Sequence, residues 1–132
     1  MAKVFYMSEA ASIALHSMVM IARRNEMMNV LKISELIGSS KHHVAKVLQR
    51  LVKDDLLISS RGPFGGFTLK KKPSEIALLE IFESIEGRIE ISKCPNDIAI
   101  CPFDKCILGT VANKMTKEFR EYMNEQTLDK YL

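Results

Sequence analysis

The sequence predicts a mainly α-helical fold that carries one small β-hairpin. Apolar residues recur at three- and four-residue spacing over most of the chain, which is the period of amphipathic helices. Two short extended segments flank a break at 62–66, where glycines cluster. Since 47% of the 132 residues are hydrophobic, we expect one packed domain with an appended element, and disordered or collagen-like classes are excluded.

The first two predicted elements are helices of different length. A long amphipathic helix extends from residue 8 to residue 24, and Ser8 is suited to cap its first amides. After a polar break, Asn29 is suited to cap a short helix over 30–37. This helix ends at Gly38, because glycine tolerates the left-handed conformation of a helix C-terminus. The apolar residues that we expect the short helix to bury are Val30, Ile33, Leu36 and Ile37.

The third predicted helix begins after Ser40, its N-cap, and extends to Asp54. A short helix, a tight turn and a second helix with a polar leading end are typical of a helix-turn-helix, whose second helix enters the major groove of DNA. Helical hairpins of purely structural role show the same pattern. The inward apolar stripe of the third helix comprises Val44, Val47, Leu48 and Leu51. The outward positions, predicted to contact bases or phosphates, are Ser40, Lys41, His42, His43, Lys46 and Arg50.

A β-hairpin is predicted directly after this helix. Extended segments at 56–61 and 67–70 are joined by Gly62-Pro63-Phe64-Gly65-Gly66, and a hairpin in this position is the wing of a winged helix-turn-helix. Arg61 is predicted to reach a phosphate or a narrow minor groove, where glycines let the backbone approach closely. The alternative is a structural hairpin with a solvated basic end. The predicted wing contacts are Arg61, Gly62, Gly65 and Gly66.

Two further helices are predicted in the C-terminal half. The first begins at Pro73 and is closed by Gly87. The second covers 107–128 with a continuous apolar stripe that includes Val111, Met115, Phe119 and Met123, and a homodimer is the simplest way to bury that stripe. Packing on the first helix of the same chain is the alternative for part of it. The predicted organisation is a DNA-binding domain over 1–87, a cysteine-bearing sensor loop over 88–106 and a dimerisation helix over 107–132.

The charge distribution divides the chain into two unlike halves. Residues 1–72 contain 12 Lys and Arg against 5 Asp and Glu, whereas residues 73–132 contain 7 against 11. The first half therefore carries a charge of +7 and the second a charge of −4. This asymmetry indicates that the first half meets a polyanion such as double-stranded DNA, with a merely solvated basic face as the alternative.

Four segments of the sequence together resemble the Rrf2 family of bacterial winged helix-turn-helix regulators. They are the opening helix at 10–15, Ile33-Ser34-Glu35 before the turn, the wing at 61–69, and the helix from Pro73 to Glu86-Gly87. The wing followed by a helix ending in Glu-Gly is the specific part. The resemblance implies a homodimer in which each recognition helix reads a major groove and each wing reaches the adjacent minor groove. Many members hold an iron-sulfur cluster on three cysteines, whereas others lack it.

Three cysteines lie in the segment between the last two predicted helices. Cys94, Cys101 and Cys106 have the spacing C-x6-C-x4-C, and an odd number in a protein predicted to be cytoplasmic is poorly explained by disulfides. Thiolates bind iron-sulfur clusters and zinc, so the three are predicted metal ligands. Non-ligand cysteines or redox thiols are the alternatives. Cluster-binding family members have one residue fewer in the first gap and one more in the second. The spacing in this chain is therefore compatible with either a 2Fe-2S or a 4Fe-4S cluster.

A fourth ligand is required for four-coordinate iron or zinc. Some family members have a histidine three residues after the last cysteine, where this chain has Gly109. Others use first-helix residues of the partner subunit, and the matching positions here are Ser12 and His16, of which His16 is the suitable ligand. Asp97 and Asp104 are the reserve candidates. The alternative role for His16, which lies on a largely apolar helix, is that of a core histidine with satisfied hydrogen bonds.

The resulting prediction is a cytoplasmic, homodimeric DNA-binding transcriptional regulator that is controlled by an iron-sulfur cluster and is not an enzyme. No uninterrupted apolar run reaches the roughly 18 residues of a membrane span. Motifs for a nucleophile elbow, a phosphate-binding loop or H-E-x-x-H are missing from the sequence. The alternatives are a cluster-free regulator of the same family, a winged-helix module for protein-protein interaction, and a thiol-redox enzyme.

Overall fold

The computed structural model describes residues 1–24, 26–91 and 101–132. Its elements in these residues are α1 (Glu9–Arg23), α2 (Val30–Ile37), α3 (Lys41–Lys53), β1 (Leu57–Ser60), β2 (Gly66–Leu69), a first 3₁₀ helix (Pro73–Glu75), α4 (Leu78–Glu86), α5 (Val111–Glu125) and a second 3₁₀ helix (Leu128–Tyr131). The predicted fold class, mainly helical with one hairpin, is confirmed. In the described part of the chain, no helix combines the length and apolarity that crossing a bilayer requires.

The caps of the first three helices are those that the sequence predicts. The side-chain oxygens of Ser8, Asn29 and Ser40 each accept a hydrogen bond from the amide three residues later, at 3.0, 2.8 and 3.2 Å. Gly38 ends α2 in the left-handed conformation with a φ of +79°. The end of α2 and the start of α3, and with them the turn of the helix-turn-helix, are therefore determined by local contacts.

The core lies between α1, α3 and α4 and is closed at one end by the hairpin. The predicted inward stripe of α3 is confirmed, since Val44, Leu48 and Leu51 are fully buried and Val47 nearly so. In α2 the prediction is partly wrong: Leu36 is half exposed, while Ser34 is buried. Ser34 satisfies its hydroxyl by donating to a carbonyl of its own helix, so a polar residue is accepted there at little cost.

The hairpin pairs β1 with β2 in antiparallel register from Leu57 opposite Leu69 to Ser60 opposite Gly66. A further bridge joins Phe67 to Met28, with each backbone N–H donating to the other residue's carbonyl oxygen, at 2.9 and 3.3 Å. Because Met28 lies in the connection between α1 and α2, this bridge ties the start of β2, near the wing tip, to the segment that leads into the helix-turn-helix.

The two C-terminal helices are shorter than predicted. Pro73 begins a 3₁₀ turn, and α4 begins only at Leu78 because Ala77 is extended and forms a β-bridge with Thr127. Likewise α5 begins at Val111 and not at residue 107, since Thr110 has a left-handed backbone with a φ of +61°. Gly87 closes α4 as predicted.

The end of the chain is integrated into the protomer. α5 packs on α4, where Phe119 contacts Phe82 edge-on with ring centroids 5.3 Å apart. The second 3₁₀ helix packs on α1, and Arg23 Nε donates to the carbonyl of Tyr131 at 2.7 Å. Met123, which the sequence places in the dimer stripe, is only 4% exposed within its own protomer. Part of the predicted stripe therefore already has an intramolecular partner.

Candidate nucleic-acid interface and thiol segment

The N-terminal half of α3 presents an exposed polar surface opposite its buried stripe. Lys41, His42 and Lys46 are exposed there, as expected from their helical positions. Among the residues that the structure describes, neither lysine forms an ion pair with a carboxylate. Gln49, one turn after Lys46, extends the same surface and is a candidate that the charge pattern of the sequence does not indicate. We call Lys41, His42, Lys46 and Gln49 the α3 surface.

His43 is oriented by α1 instead of projecting from α3. Its Nδ1 lies 3.3 Å from Glu9 Oε1, and Ser39 Oγ donates to the same carboxylate oxygen at 3.4 Å. The side chain is 34% exposed. Glu9 therefore connects the N-terminal end of α3 to the start of α1. From the sequence, Glu9 is only an acidic residue in the first turn of α1, and its contacts with α3 are not predicted.

Arg50 connects α3 to α4. Its Nε donates to the carbonyl of Ser84 at 3.1 Å and lies 3.3 Å from Asp54 Oδ2. The hydroxyl of Ser84 donates to the same Asp54 oxygen at 2.5 Å. The sequence places Arg50 on the DNA-facing side, where its side chain is 54% exposed, but its Nε is engaged in this cluster, so Arg50 is not part of the interface proposed below.

The wing tip is a tight turn that exposes Arg61. The amide of Gly65 donates to the carbonyl of Gly62 at 3.0 Å, and Gly62 has a φ of +104°, which favours glycine. A Cβ on Gly65 would lie 2.3 Å from the Ser60 carbonyl oxygen, and one on Gly66 would lie 2.7 Å from that of Met28. These glycines are thus required by the hairpin itself, whether or not DNA approaches them.

Two of the three lysines after the hairpin are neutralised within the protein. Lys70 Nζ lies 2.7 Å from Asp55 and lowers the pKa of that carboxyl group. Lys71 Nζ lies 2.6 Å from Glu80, whose hydrogen bond raises the pKa of Lys71. The positive charge that is left unpaired near the wing is therefore concentrated at Arg61 and Lys72 in the described residues.

Residues 88–106, the predicted sensor loop, precede α5 and are called the thiol segment below. Cys101 and Cys106 are exposed, whereas Cys94 and the reserve candidate Asp97 lie outside the described residues. Hydrogen bonds from the backbone amides of Thr110 and Leu108 lower the pKa of the Cys106 thiol. A thiolate that accepts amide hydrogen bonds is the kind of ligand that iron-sulfur clusters and zinc require. The residues present therefore fit such a group in their chemistry.

His16 is exposed on α1, so the interpretation as a core histidine is wrong. Its Nδ1 lies 2.7 Å from the carbonyl oxygen of Ser12. Because a carbonyl only accepts, Nδ1 is the donor in this contact, and in a neutral imidazole Nε2 would then be the nitrogen with a lone pair for a metal. His16 opens into a groove of about 400 Å³, also lined by Leu15, Val19, Met20, Arg23, Leu78 and Tyr131.

The described protomer does not assemble a metal site alone. Within residues 1–24, 26–91 and 101–132, no three His, Cys, Asp or Glu side chains are grouped closely enough to hold a metal ion. In particular, His16 and the described cysteines Cys101 and Cys106 form no common site in one chain. A site containing them would require Cys94 or donors from a second subunit.

Comparison with known proteins gives one consistent result. The sequence profile of the Rrf2 family, described as an iron-dependent transcriptional regulator, matches residues 7–132. The HTH-type transcriptional regulator IscR of Pectobacterium atrosepticum is 29% identical over 97 residues, which are 74% of this chain but only 59% of that relative. The IscR of Serratia proteamaculans matches in the same way, at 29% identity over 96 residues.

Solved structures share the fold at low sequence identity. CymR, the global cysteine regulator of B. subtilis, has a TM-score of 0.78 at 20% identity, covering 96% of this chain and 95% of its own. The IscR of T. potens has a TM-score of 0.75 at 23% identity, covering 96% and 85%. The structural neighbours thus include both CymR and IscR, which share one fold with this chain.

Proposed function

The chain belongs to the Rrf2 family of transcriptional regulators, and from this premise we propose that it is a homodimeric regulator that binds double-stranded DNA. The observation that carries the proposal is the α3 surface, in which Lys41 and Lys46 are exposed on the second helix of a well-capped helix-turn-helix. This surface would enter the major groove, while Arg61 at the wing tip reaches the adjacent minor groove. The remaining exposed groups, His42 and Gln49, can donate to base edges.

A salt titration of binding to a mixed-sequence DNA duplex tests this proposal. Each phosphate contact adds about 0.9 to the slope of log affinity against log salt, so Lys46→Ala should weaken binding and reduce the slope by roughly one. Lys130→Ala, in the second 3₁₀ helix, is the matched control and should leave both unchanged. Absence of salt-dependent duplex binding by the wild-type protein would favour a winged-helix module for protein-protein interaction.

We further propose that the thiol segment holds an iron-sulfur cluster. Cys94, Cys101 and Cys106 would supply three thiolates, and His16 of the partner subunit the fourth ligand. Support comes from the lowered pKa of the Cys106 thiol, from the exposure of His16 with its Nδ1 against the Ser12 carbonyl, and from the iron-dependent description of the family. When bound, such a group supplies sensitivity to redox state, nitric oxide or iron supply.

The chain's own residues would transmit the signal through α5. The thiol segment leads directly into this helix, which packs on α4 through Phe82 and Phe119. A change in the segment that favours one arrangement of α5 would shift the two α3 surfaces of a dimer relative to each other. The coupling requires that the two arrangements differ in their contacts with the segment.

A cluster-free regulator is the second candidate, and one observation favours it. CymR of B. subtilis, which shares the fold with a TM-score of 0.78, is named a global cysteine regulator. Anaerobic purification followed by visible absorbance and assays for iron, sulfide and zinc discriminates the two. Iron and sulfide in equal amounts support the cluster, whereas zinc alone or no metal overturns it.

A further inference from the structure

Phe64 is an exposed aromatic side chain at the extreme tip of the wing. It is 92% exposed, more than any other phenylalanine in the described residues. A single exposed apolar residue is ordinary on a protein surface, so exposure alone indicates nothing. What distinguishes Phe64 is the rigidity and charge of the turn that presents it.

The turn that carries Phe64 is preorganised. Gly62, Pro63, Phe64 and Gly65 form a four-residue turn closed by the hydrogen bond from Gly65 N–H to the Gly62 carbonyl. Pro63 precedes Phe64 and restricts the backbone, since its ring fixes φ. Gly65 lacks the space for a side chain, because its Cβ would meet the Ser60 carbonyl. Little chain entropy is therefore lost when Phe64 docks into a partner.

The charge around the turn selects a polyanion as that partner. Arg61 is exposed immediately before this turn, and the wing belongs to the half of the chain that carries +7. An apolar ring next to an arginine on a narrow protrusion suits the minor groove, where apolar side chains wedge between base pairs while arginines occupy the negative groove potential.

We propose that Phe64 wedges against a base step in the minor groove and thereby adds a sequence preference that the α3 surface does not supply. This inference rests on the proposed DNA-binding function. Wedging partly unstacks a step, and pyrimidine-purine steps such as TA and CA unstack most readily. The position in the operator that lies beneath each wing should therefore favour such steps, without any hydrogen bond to a base edge.

Selection from a randomised duplex pool tests the inference with the full-length protein. The wild-type protein should enrich TA or CA steps at two symmetric positions outside the segment read by α3. Phe64→Ala should lose that enrichment while it retains the inner sequence. Ile58→Ala is the matched control, because Ile58 is an apolar residue 46% exposed on β1 of the same hairpin, away from the tip. It should enrich the same steps as the wild type.

A spectroscopic measurement on the selected duplex separates wedging from a change in overall affinity. With 2-aminopurine at the enriched step, binding of the wild-type protein should raise the fluorescence through unstacking, and Phe64→Ala should not. Phe64→Ala should weaken binding roughly tenfold, a change of about 1.4 kcal/mol, with an unchanged salt slope because no charge is removed.

The outcomes distinguish this inference from the function on which it rests. If wild type and Phe64→Ala enrich the same steps and give the same fluorescence, the wedge is overturned while DNA binding stands. If the wild-type protein retains no duplex of any sequence, the proposed DNA-binding function is overturned, and the wedge with it. If it retains duplexes but enriches no step, only the wedge is overturned. If Phe64→Ala changes sedimentation in the absence of DNA, Phe64 contacts a second copy of the chain, and the wedge is overturned as well.

Discussion

Gly66 has no space for a side chain, because the backbone of Met28 lies against it. Its Cβ would lie 2.7 Å from the Met28 carbonyl oxygen, at the bridge that ties the wing to the helix-turn-helix. Gly66→Ala should therefore lower the free energy of unfolding by about 2 kcal/mol, as expected when backbone must shift. Gly38→Ala is the control: its site has open space and only a left-handed φ, so a loss of about 1 kcal/mol is expected. Denaturation in urea measures both. Equal losses of stability in the two variants would mean that the close contact with Met28 does not destabilise Gly66→Ala.

Cys106 should react at a lower pH in the folded protein than in the unfolded chain. The amides of Thr110 and Leu108 lower the pKa of its thiol, so the thiolate is present at pH values where an ordinary thiol is still protonated. Alkylation by iodoacetamide in metal-free protein, followed by mass spectrometry across a pH series, measures this. The rate at Cys106 should rise at lower pH in buffer than in urea. If the pH profiles of the alkylation rate coincide in buffer and in urea, the amide hydrogen bonds do not lower the pKa of the Cys106 thiol.

The elements were predicted well where local chemistry decides them. Ser8, Asn29 and Ser40 cap the helices that the sequence assigns to them, because capping depends on residues only three positions apart. The starts of α4 and α5 were missed for two different reasons. Ala77 is held extended by Thr127, fifty residues away, and Thr110 adopts a left-handed backbone that its residue type does not indicate.

The candidate site was predicted in part for the same reason. The exposure of Lys41 and Lys46 follows from helical period, whereas the engagement of His43 by Glu9 and of Arg50 by Ser84 depends on tertiary contacts. Periodicity shows which face of a helix is polar, and it carries no information about which polar groups another element occupies. The Rrf2 family and the winged-helix fold predicted from the sequence are confirmed, and the known relatives are regulators, not enzymes.

The junction of α3 with α4 provides a prediction at the scale of elements. Because Arg50 donates to the Ser84 carbonyl and pairs with Asp54, Arg50→Ala should lower the free energy of unfolding by about 1 kcal/mol. It should leave the salt slope of duplex binding unchanged, in contrast to Lys46→Ala. Chemical denaturation and the salt titration measure the two quantities. Unchanged stability together with a slope reduced by about one would return Arg50 to the DNA contacts.

The whole molecule presents an apolar surface that one protomer leaves uncovered. Along α5, Val111 and Met115 are 48% and 43% exposed and Tyr122 is exposed on the same side. Deleting the chain from residue 107 would remove this surface, but it would also remove buried Met123 and Leu128 from the protomer. Point substitutions therefore test the proposed dimer more cleanly than truncation.

Met115→Asp should weaken the dimer at least tenfold, because burying an unpaired carboxylate costs more than about 1.4 kcal/mol. Lys117→Asp, which lies on the opposite face of α5 and is also exposed, should leave the dimer intact. Sedimentation over a range of protein concentrations measures both. A wild-type protein that sediments as a monomer at micromolar concentration contradicts the homodimer, and equal effects of the two variants place the interface elsewhere.

The most demanding prediction concerns a ligand shared between subunits. His16→Ala should retain iron in a more oxygen-labile form, since thiolates still hold the core, whereas Cys106→Ser should lose it. Unfolding and refolding the two variants together produces mixed dimers. If His16 serves the partner's cysteines, each mixed dimer contains one complete site, because the His16→Ala chain supplies the thiolates and the Cys106→Ser chain supplies the histidine. Anaerobic reconstitution should then restore wild-type oxygen stability to part of the cluster absorbance. If His16 serves its own chain, no mixed dimer has a complete site, and all of the absorbance should bleach at the rate of His16→Ala alone.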